Sequence, residues 1–421
     1  MHISNNLIFG QMKDRIVLLL TLTLTLTSTA FAVTASTDRT WYLAGEAMRV
    51  KLTLTSTSAS TAYAELCDVN GLVAGTMISM NRNQGTGIVE LPADLHSGYY
   101  VLSVYTRHNA RVAQQLVAIV NPLRKSADDD IQWVKGDSCW AVADGQLLLA
   151  STSIEVGERE IEGHIVKARV QNAYDGQTFK GSQICPSLSI IGKQIHYFEG
   201  KMVDDSIAVF YTYGIHGRRP LVLSAATHSG VSLPIEVMSP FATLLPKQLP
   251  HLVFHYKRSE VEARSLDMQR HQMAMNQENA SPQSLVSGYD DTVFGTKPDL
   301  TYNLDEYRQF LTIREVLFEY VNCVRSKKTG GVTQLYVRKE QEHYNNAWPA
   351  MVLIDGMPVI NIERLLAYDA RRIHYINIYG GQYTFGNGVY NGILSLITRS
   401  GQLTNYPTEP NTQYLEYDFP K

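Results

Sequence analysis

Histidine and cysteine are the side chains most often used for catalysis and metal binding, and here they are scattered. His251 and His255 are four residues apart, a spacing that would place both on one face of a helix and suit a metal ion. Pro250 before them and the apolar residues between them favour a strand with packed histidines instead. The sequence contains no nucleophile elbow, His-Glu-x-x-His, phosphate loop or dinucleotide fingerprint. We therefore predict no enzyme activity, no metal and no cofactor, although a triad of distant residues stays open as an alternative.

The N-terminus predicts export. Lys13 and Arg15 precede an apolar stretch at 16–26, and Ala30-Phe31-Ala32 has the small-x-small pattern of a cleavage site. Residues 1–32 are therefore predicted to be a signal peptide. The stretch is shorter than the ~20 residues that a membrane-spanning helix needs.

The four cysteines contain no Cys-x-x-Cys pair, and their spacing does not suit zinc. An even number in an exported protein permits disulfides. Cys139 and Cys185 are the pair expected to share a domain, and isolated buried thiols are the alternative.

Composition indicates a β-rich protein that does not bind nucleic acid. The 421 residues carry a formal net charge of −3, so no excess of basic residues is available for a phosphate backbone. Tyrosine is abundant (24 residues), which favours sheets. A chain of this length can hold two to four domains at roughly 100–200 residues each.

Short alternating runs separated by turns predict two β-sandwiches. A polar segment with a helical stretch at 259–275 follows, and then an α+β domain. The fold class is therefore mainly β with a C-terminal α+β domain. The predicted boundaries are 1–32 for the signal peptide, 33–122 and 131–240 for the sandwiches, 241–297 for a linker with a short helix, 298–402 for the α+β domain and 403–421 for a tail.

The C-terminal domain has the clearest local signals. Thr312 and Glu315 form a capping box at the start of an amphipathic helix. Two short apolar runs flank Asp355-Gly356, a strong hairpin signal because glycine accepts a positive φ. Two further strands, at 373–379 and 393–399, surround a glycine-rich loop.

These C-terminal motifs resemble the plug domain of TonB-dependent outer-membrane receptors. Such plugs typically show Ile-Asp-Gly with a following Pro, matched at 354–358, and a last strand of the form matched at 392–399. A receptor also needs a barrel of ~22 strands, or roughly 220 residues in the membrane. Only residues 400–421 follow the last matched strand, so the resemblance implies a plug-like domain without its own barrel.

The N-terminal half resembles other exported domains. Tyr-x-x-Gly-Glu at 42–46, Asp-x-x-Gly at 68–71 and Leu-x-x-Gly-x-Tyr-x-Leu at 95–102 are similar to the macroglobulin domain of protease traps and bacterial surface proteins. The second sandwich resembles transthyretin or carboxypeptidase-regulatory domains. With Pro-Asp-x-x-Tyr-x-Leu-Asp-x-Tyr at 298–307, the order resembles an exported Bacteroidetes-type family. No cysteine begins Cys-Gly-Glu-Gln, so thioester trapping is excluded.

The resemblance implies protein–protein contact at the periplasmic side of the outer membrane or at the cell surface. The plug-like domain would dock with, or occlude, a partner β-barrel. A glycan- or peptide-binding module of the sandwiches and a hydrolase without a recognisable motif are the alternatives. The aromatic rings of the glycine-rich loop could contact a partner or cover the domain's own core. The candidate partner-binding residues are Asp355, Gly356, Tyr379, Gly380, Gly381, Tyr383, Phe385, Gly386, Gly388 and Tyr390.

Overall fold

A computed structural model gives the fold of most of the chain. Strands dominate, so the predicted class, mainly β with a C-terminal α+β domain, is confirmed. The predicted signal peptide lies outside the described residues. Within them, no helix is long and apolar enough to span a membrane. The structure describes residues 33–55, 59–124, 131–191, 196–227, 229–280, 294–329, 331–338, 348–385, 388–401, 403, 406–407 and 409–421.

The first sandwich forms because its strands alternate apolar and polar residues. In Ala47–Leu54 every second side chain is buried. The strands are β1 (Val33–Thr37), β2 (Trp41–Leu43), β3 (Ala47–Leu54), β4 (Thr61–Cys67), β5 (Leu72–Asn81), β6 (Gln84–Glu90), β7 (Gly98–Tyr105) and β8 (Ala113–Val120). Their hydrogen-bonded order is β1-β3-β6-β5-β4-β7-β8-β2, and the sheet folds over a core that includes Met48, Leu66 and Leu102.

A small three-stranded sheet collects segments that are distant in sequence. It consists of β9 (Ile131–Lys135), β10 (Trp140–Asp144) and β23 (His251–Tyr256), in the order β10-β23-β9. The histidine pair therefore lies on a strand, as predicted. The His255 ring stacks on Trp140, with 3.8 Å between ring centroids.

The second sandwich has two sheets, in the orders β17-β18-β12-β21 and β16-β15-β19-β20. Val166, Phe210, Leu188 and Leu223 are among the residues buried between them. Beside it, β11 (Leu148–Leu149) pairs with β22 (Pro246–Gln248). The strands of this unit are β12 (Ile165–Val170), β13 (Ala173–Tyr174), β14 (Gln177–Thr178), β15 (Ile184–Ile190), β16 (His196–Glu199), β17 (Lys201–Met202), β18 (Ile207–Tyr211), β19 (Gly217–Thr227), β20 (Ser232–Leu233) and β21 (Ile235–Val237).

The helix expected at 259–275 is α1 (Arg258–Ala280). It packs on the first sandwich through Arg264, whose guanidinium lies 3.6 Å from the Trp41 ring centroid and donates hydrogen bonds to the Glu46 carboxylate. This cation–π and ion-pair contact holds a mostly polar helix against the sheet.

In the C-terminal domain the capping box is present. The Glu315 amide donates to the Thr312 hydroxyl (3.3 Å), and the Thr312 amide donates to the Glu315 carboxylate (3.0 Å). The elements are β24 (Leu300–Asn303), α2 (Ile313–Glu319), β25 (Val324–Thr329), β26 (Val332–Val337), β27 (Met351–Ile354), β28 (Met357–Pro358), α3 (Ile362–Leu366), β29 (Ile373–Phe385) and β30 (Gly388–Thr398). The main sheet has the order β24-β29-β30-β27-β28, and β25 pairs with β26 beside it.

The segment expected to be a tail contains β31 (Gln413–Phe419), which pairs antiparallel with β19 in the second sandwich. Tyr417 and Phe419 are 7% and 1% exposed, because alternation turns both rings into that core. Beyond β31, the Ser79 amide donates to the Lys421 carbonyl (2.9 Å). The last strand therefore connects the C-terminal domain to both sandwiches.

Cys139 and Cys185, the two cysteines expected to share a domain, do not form a disulfide, and all four cysteines are free thiols. Cys139 immediately precedes β10, whereas Cys185 lies on β15 of the second sandwich. The two cysteines belong to different sheets. The alternative of isolated thiols fits Cys67, which is fully buried.

Candidate functional site

The Asp355-Gly356 pair forms the turn between β27 and β28, as predicted. Both residues have positive φ (+47° and +84°), as a type I′ turn requires. The Asp355 carboxylate is fully buried and accepts hydrogen bonds from the Thr398 amide (2.7 Å), the Thr398 hydroxyl (2.5 Å) and the Leu403 amide (2.9 Å). Burial raises the pKa of this carboxyl, although these hydrogen bonds act in the opposite direction.

The same turn packs against the second sandwich. The Ser189 hydroxyl on β15 donates to the Gly356 carbonyl (2.7 Å), and the Tyr414 hydroxyl on β31 contacts the Met357 sulfur (3.1 Å). Asp355 and Gly356 are therefore buried inside the chain, and in this structure they offer no surface to a partner.

Replacing Gly356 with alanine is expected to destabilise this domain by about 1–2 kcal/mol, because a Cβ disfavours the left-handed region. Gly71→Ala is the matched control, since Gly71 has no positive φ and nothing lies within 4 Å of an added Cβ. Urea unfolding of both variants measures the difference. Equal stabilities would contradict a strained position at Gly356.

The glycine-rich loop at 380–392 is part of a two-stranded arm, because β29 and β30 continue pairing to Phe385 and Gly388. A register shift occurs at Gly380 and Gly381, where Gly381 has φ +115°. The Gly380 amide donates to the Asp299 carboxylate (2.5 Å), which fixes the irregular turn of backbone. Glycine is needed here because the bulge requires a conformation that other residues rarely adopt.

The aromatic rings of this arm cover a local core. Tyr379 is 2% exposed and packs edge-on against Phe294, with 5.1 Å between centroids. Tyr383 and Tyr390 are half-buried against the same cluster. Gly386 lies outside the described residues, as do the side-chain surroundings of the Phe385–Gly388 tip. For Tyr379, the alternative that the ring covers the domain's own core is therefore the one observed.

A cleft of about 210 Å³ lies between the second sandwich and the C-terminal domain. The floor is the outer face of β15 and β19, where the Ser187 and Ser224 hydroxyls hydrogen-bond to each other at 2.8 Å. The opposite wall includes β27 and Tyr390, and Trp348, which is 45% exposed, also lines the cleft. Of the predicted candidates, only Tyr390 lines this cleft in the part of the chain that the structure describes.

An acid–histidine–hydroxyl relay is present among the described residues, and it is buried. The Glu160 carboxylate lies 3.0 Å from His164 Nδ1, and His164 Nε2 lies 2.7 Å from the Tyr417 hydroxyl. Because a carboxylate only accepts, Nδ1 carries the hydrogen and Nε2 accepts from Tyr417. All three side chains are less than a tenth exposed, so this relay joins the second sandwich to β31 and has no access to a substrate.

Among the described residues of the C-terminal domain, the most exposed apolar side chain is Phe318 on α2, at 81%. Leu311, just before the helix, is 64% exposed, and a groove of about 720 Å³ runs from Phe318 to Arg325 on β25. Among described residues, β25 pairs only with β26, so no described strand pairs with its other edge. We call this region the α2–β25 surface, defined by Leu311, Arg314, Phe318 and β25.

Sequence reasoning missed this surface, although a signal for it exists. Ile313, Val316 and Leu317 form the buried stripe of α2 at helical spacing. Phe318 lies outside that stripe, so the helical pattern of α2 gives its aromatic ring no place in the core. This mismatch is the sequence signal for the exposed ring.

In the described ranges, no group of three or more His, Cys, Asp or Glu side chains could hold a metal ion. No protein-family model matches the chain, and no curated protein matches it.

Two solved structures have limited similarity to this chain. Trypsin-activated alpha-2-macroglobulin from Escherichia coli aligns with 51% of it at 8% identity and a TM-score of 0.21. The Y1175G mutant of Salmonella alpha-2-macroglobulin aligns with 53% of it at 10% identity and a TM-score of 0.20. The alignments cover 16% and 14% of those proteins, so the chain spans only a small part of either. At these values the similarity carries no argument, and the fold class rests on the chain's own sheets.

Proposed function

We propose that this chain is a non-enzymatic, exported protein that acts by protein–protein contact at the outer membrane. Its plug-like C-terminal domain docks with, or occludes, a partner β-barrel protein, and the contact is made by the α2–β25 surface. The contact is not assigned to Asp355-Gly356, the first expected contact segment, because Asp355 is fully buried. The macroglobulin-like and Bacteroidetes-type resemblances support export to the envelope.

The observation that carries the proposal is the exposure of Phe318 beside β25, one edge of which pairs with no described strand. The Phe318 ring is 81% exposed, so it presents a large apolar area to water. Aromatic rings of this kind are enriched at the centres of protein interfaces. Leu311, just before the same helix, is a second exposed apolar side chain of this domain. The Phe318 ring lines the groove with apolar Leu317 and Val324, so a partner side chain would find an apolar wall there.

The edge of β25 defines the kind of segment that fits. An extended chain adding to this edge would form main-chain hydrogen bonds along β25. Lys327 and Lys328 are exposed and give the strand two adjacent positive charges. These charges oppose pairing with a second copy of the same strand and favour an acidic partner segment.

Phe318→Ser is expected to reduce recovery of a β-barrel protein from cross-linked outer membranes by at least about tenfold, the size of an interface hot spot. The bait is the chain from residue 33 with an N-terminal tag, because the last residues are docked on the sandwiches. Leu123→Ser is the matched control, since Leu123 is also 81% exposed but lies after the first sandwich.

The comparison of the two variants decides the proposal. A barrel protein recovered with the wild type and Leu123→Ser, and lost with Phe318→Ser, would establish the docking surface. Equal recovery with both variants would remove the α2–β25 surface from the contact. Folded wild-type bait that recovers no barrel protein would overturn the docking function itself.

A further inference from the structure

The cleft between the second sandwich and the C-terminal domain is formed by an unusual sheet face. On β19, Leu223 and Ala225 point into the sandwich core, whereas Ser224 and Ala226 point away from it. The neighbouring strand β15 places Cys185 and Ser187 on the same outer face. Small side chains cover less of a sheet than large ones, so a space remains where the two units meet.

The walls of this cleft are held in place. Ser189 on β15 donates a hydrogen bond to the Gly356 carbonyl (2.7 Å), which fixes the β27–β28 hairpin against the sheet. Val222 on β19 belongs to the buried core cluster of the C-terminal domain. The space is therefore formed before any ligand arrives, and binding would need little ordering of the protein.

The chemistry of the lining disfavours anions. None of the described residues that line the cleft is Asp, Glu, Lys, Arg or His. The nearby Glu199 carboxylate acts on the lining tyrosines Tyr197 and Tyr390, so an anion entering the cleft would lose water and meet a like charge. Ser187 and Ser224, at 5% and 3% exposure, share one hydrogen bond, and Ser187 also hydrogen-bonds to the Tyr197 hydroxyl. The pair keeps acceptor lone pairs for a ligand that donates a hydrogen bond. Tyr197, Trp348 and Tyr390 bring three aromatic rings to the same space.

We propose that this cleft binds a small uncharged aromatic molecule with one hydrogen-bonding group, such as a phenol. The volume of about 210 Å³ exceeds the ~150 Å³ of a cavity that holds benzene and is below the ~300 Å³ at which drug-sized sites begin. One substituted ring fits that range. Its apolar edge packs on the aromatic and aliphatic walls, and its polar group meets the serine pair. This site is separate from the α2–β25 surface, so either proposal can fail without the other.

Fluorine NMR of 4-fluorophenol titrated with the purified chain tests the site. Saturable binding is expected, and 4-fluorobenzoate, which has the same ring but a negative charge, is expected to bind at least about tenfold more weakly. Ala226→Phe fills the floor of the cleft and is expected to weaken fluorophenol binding by at least about tenfold. Ala173→Phe, on the exposed hairpin of β13 and β14, is the matched control and should bind as the wild type does.

Trp348→Ala keeps the test decisive if Ala226→Phe does not fold, because Trp348 is 45% exposed and its loss leaves the core intact. This variant is expected to weaken fluorophenol binding several-fold, as removal of an aromatic wall should. Equal binding of fluorophenol and fluorobenzoate, or binding unchanged in every folded cleft variant, would overturn the proposal. An absence of saturable binding to the folded wild type would overturn it as well.

Discussion

Glu160→Ala is expected to lower the free energy of unfolding by about 3–5 kcal/mol, the cost of removing one partner from a buried charged pair. The Glu160 carboxylate accepts hydrogen bonds from the Tyr63 hydroxyl (2.7 Å) and the Ile165 amide (2.7 Å). It also lies 3.0 Å from His164 and 3.6 Å from the Arg107 guanidinium. Alanine would leave these buried donors without an acceptor and leave Arg107 without its countercharge.

The buried contacts between Glu160 and His164 also make the stability of the protein depend on pH. Burial lowers the pKa of His164, so the unfolded chain takes up a proton below its ordinary pKa of about 6.5 while the folded chain does not. Burial opposes ionisation of Glu160, but hydrogen bonds from His164 and Ile165 and the charge of Arg107 hold its pKa below the ordinary value. Both groups bind more protons when unfolded, so stability decreases as the pH falls below about 6.5.

Urea unfolding between pH 7 and pH 5 measures both effects. Glu155→Ala is the matched control, because Glu155 is exposed and its loss should change stability by no more than about 0.5 kcal/mol. Glu160→Ala should be much less stable at pH 7 and should still lose stability toward pH 5, because that decrease comes from His164, whose pKa Glu160 raises. If the two alanine variants unfold at the same urea concentration, the buried contacts of Glu160 do not exist in solution.

Phe419→Ala is expected to destabilise the second sandwich by about 3–5 kcal/mol, as large-to-small changes of buried aromatic residues do. Phe419 is 1% exposed and packs edge-on against Tyr417, with 4.9 Å between ring centroids. The residue comes from β31, about two hundred positions after the strand with which it pairs. A ring removed from this core leaves a cavity that the surrounding strands fill only in part.

Glu416→Ala on the same strand is the control. Its side chain is 51% exposed and its ion pair with Arg218 is at the surface, so it should contribute between about 0 and 1 kcal/mol. Unfolding by urea, with hydrogen exchange of β19 as a second measurement, separates the two variants. A Phe419→Ala protein as stable as Glu416→Ala would mean that 403–421 is a solvated tail, as the sequence alone predicts.

Local features of the C-terminal domain could be read from the sequence. The Thr312–Glu315 capping box and the Asp355-Gly356 turn depend on side chains within four residues of each other, so their geometry follows from local chemistry. The helix at 258–280 was predicted for most of its length, and the alternating runs predicted the strands of both sandwiches. These signals act over one turn or one strand, which is the range that a single sequence reveals.

The candidate site was predicted less well because exposure is a property of the whole fold. The sequence offers Asp355 and Tyr379 as candidate contact residues. In the structure the Asp355 carboxylate is buried beside Thr398, and the Tyr379 ring packs against Phe294. Phe318 looks like one more apolar residue of a helix, yet it faces water. Which face a neighbouring unit covers depends on contacts between residues far apart in the chain.

The sequence by itself determined the fold class, the local turns and caps, and the absence of any recognised catalytic motif. Only the tertiary structure decided that β31 completes the second sandwich and that Glu160, His164 and Tyr417 meet, although the last two are 253 positions apart. It also decided that a small-residue sheet face leaves a cleft beneath Trp348. The physical reason is that backbone preference is local, whereas burial and strand pairing depend on which distant surfaces meet.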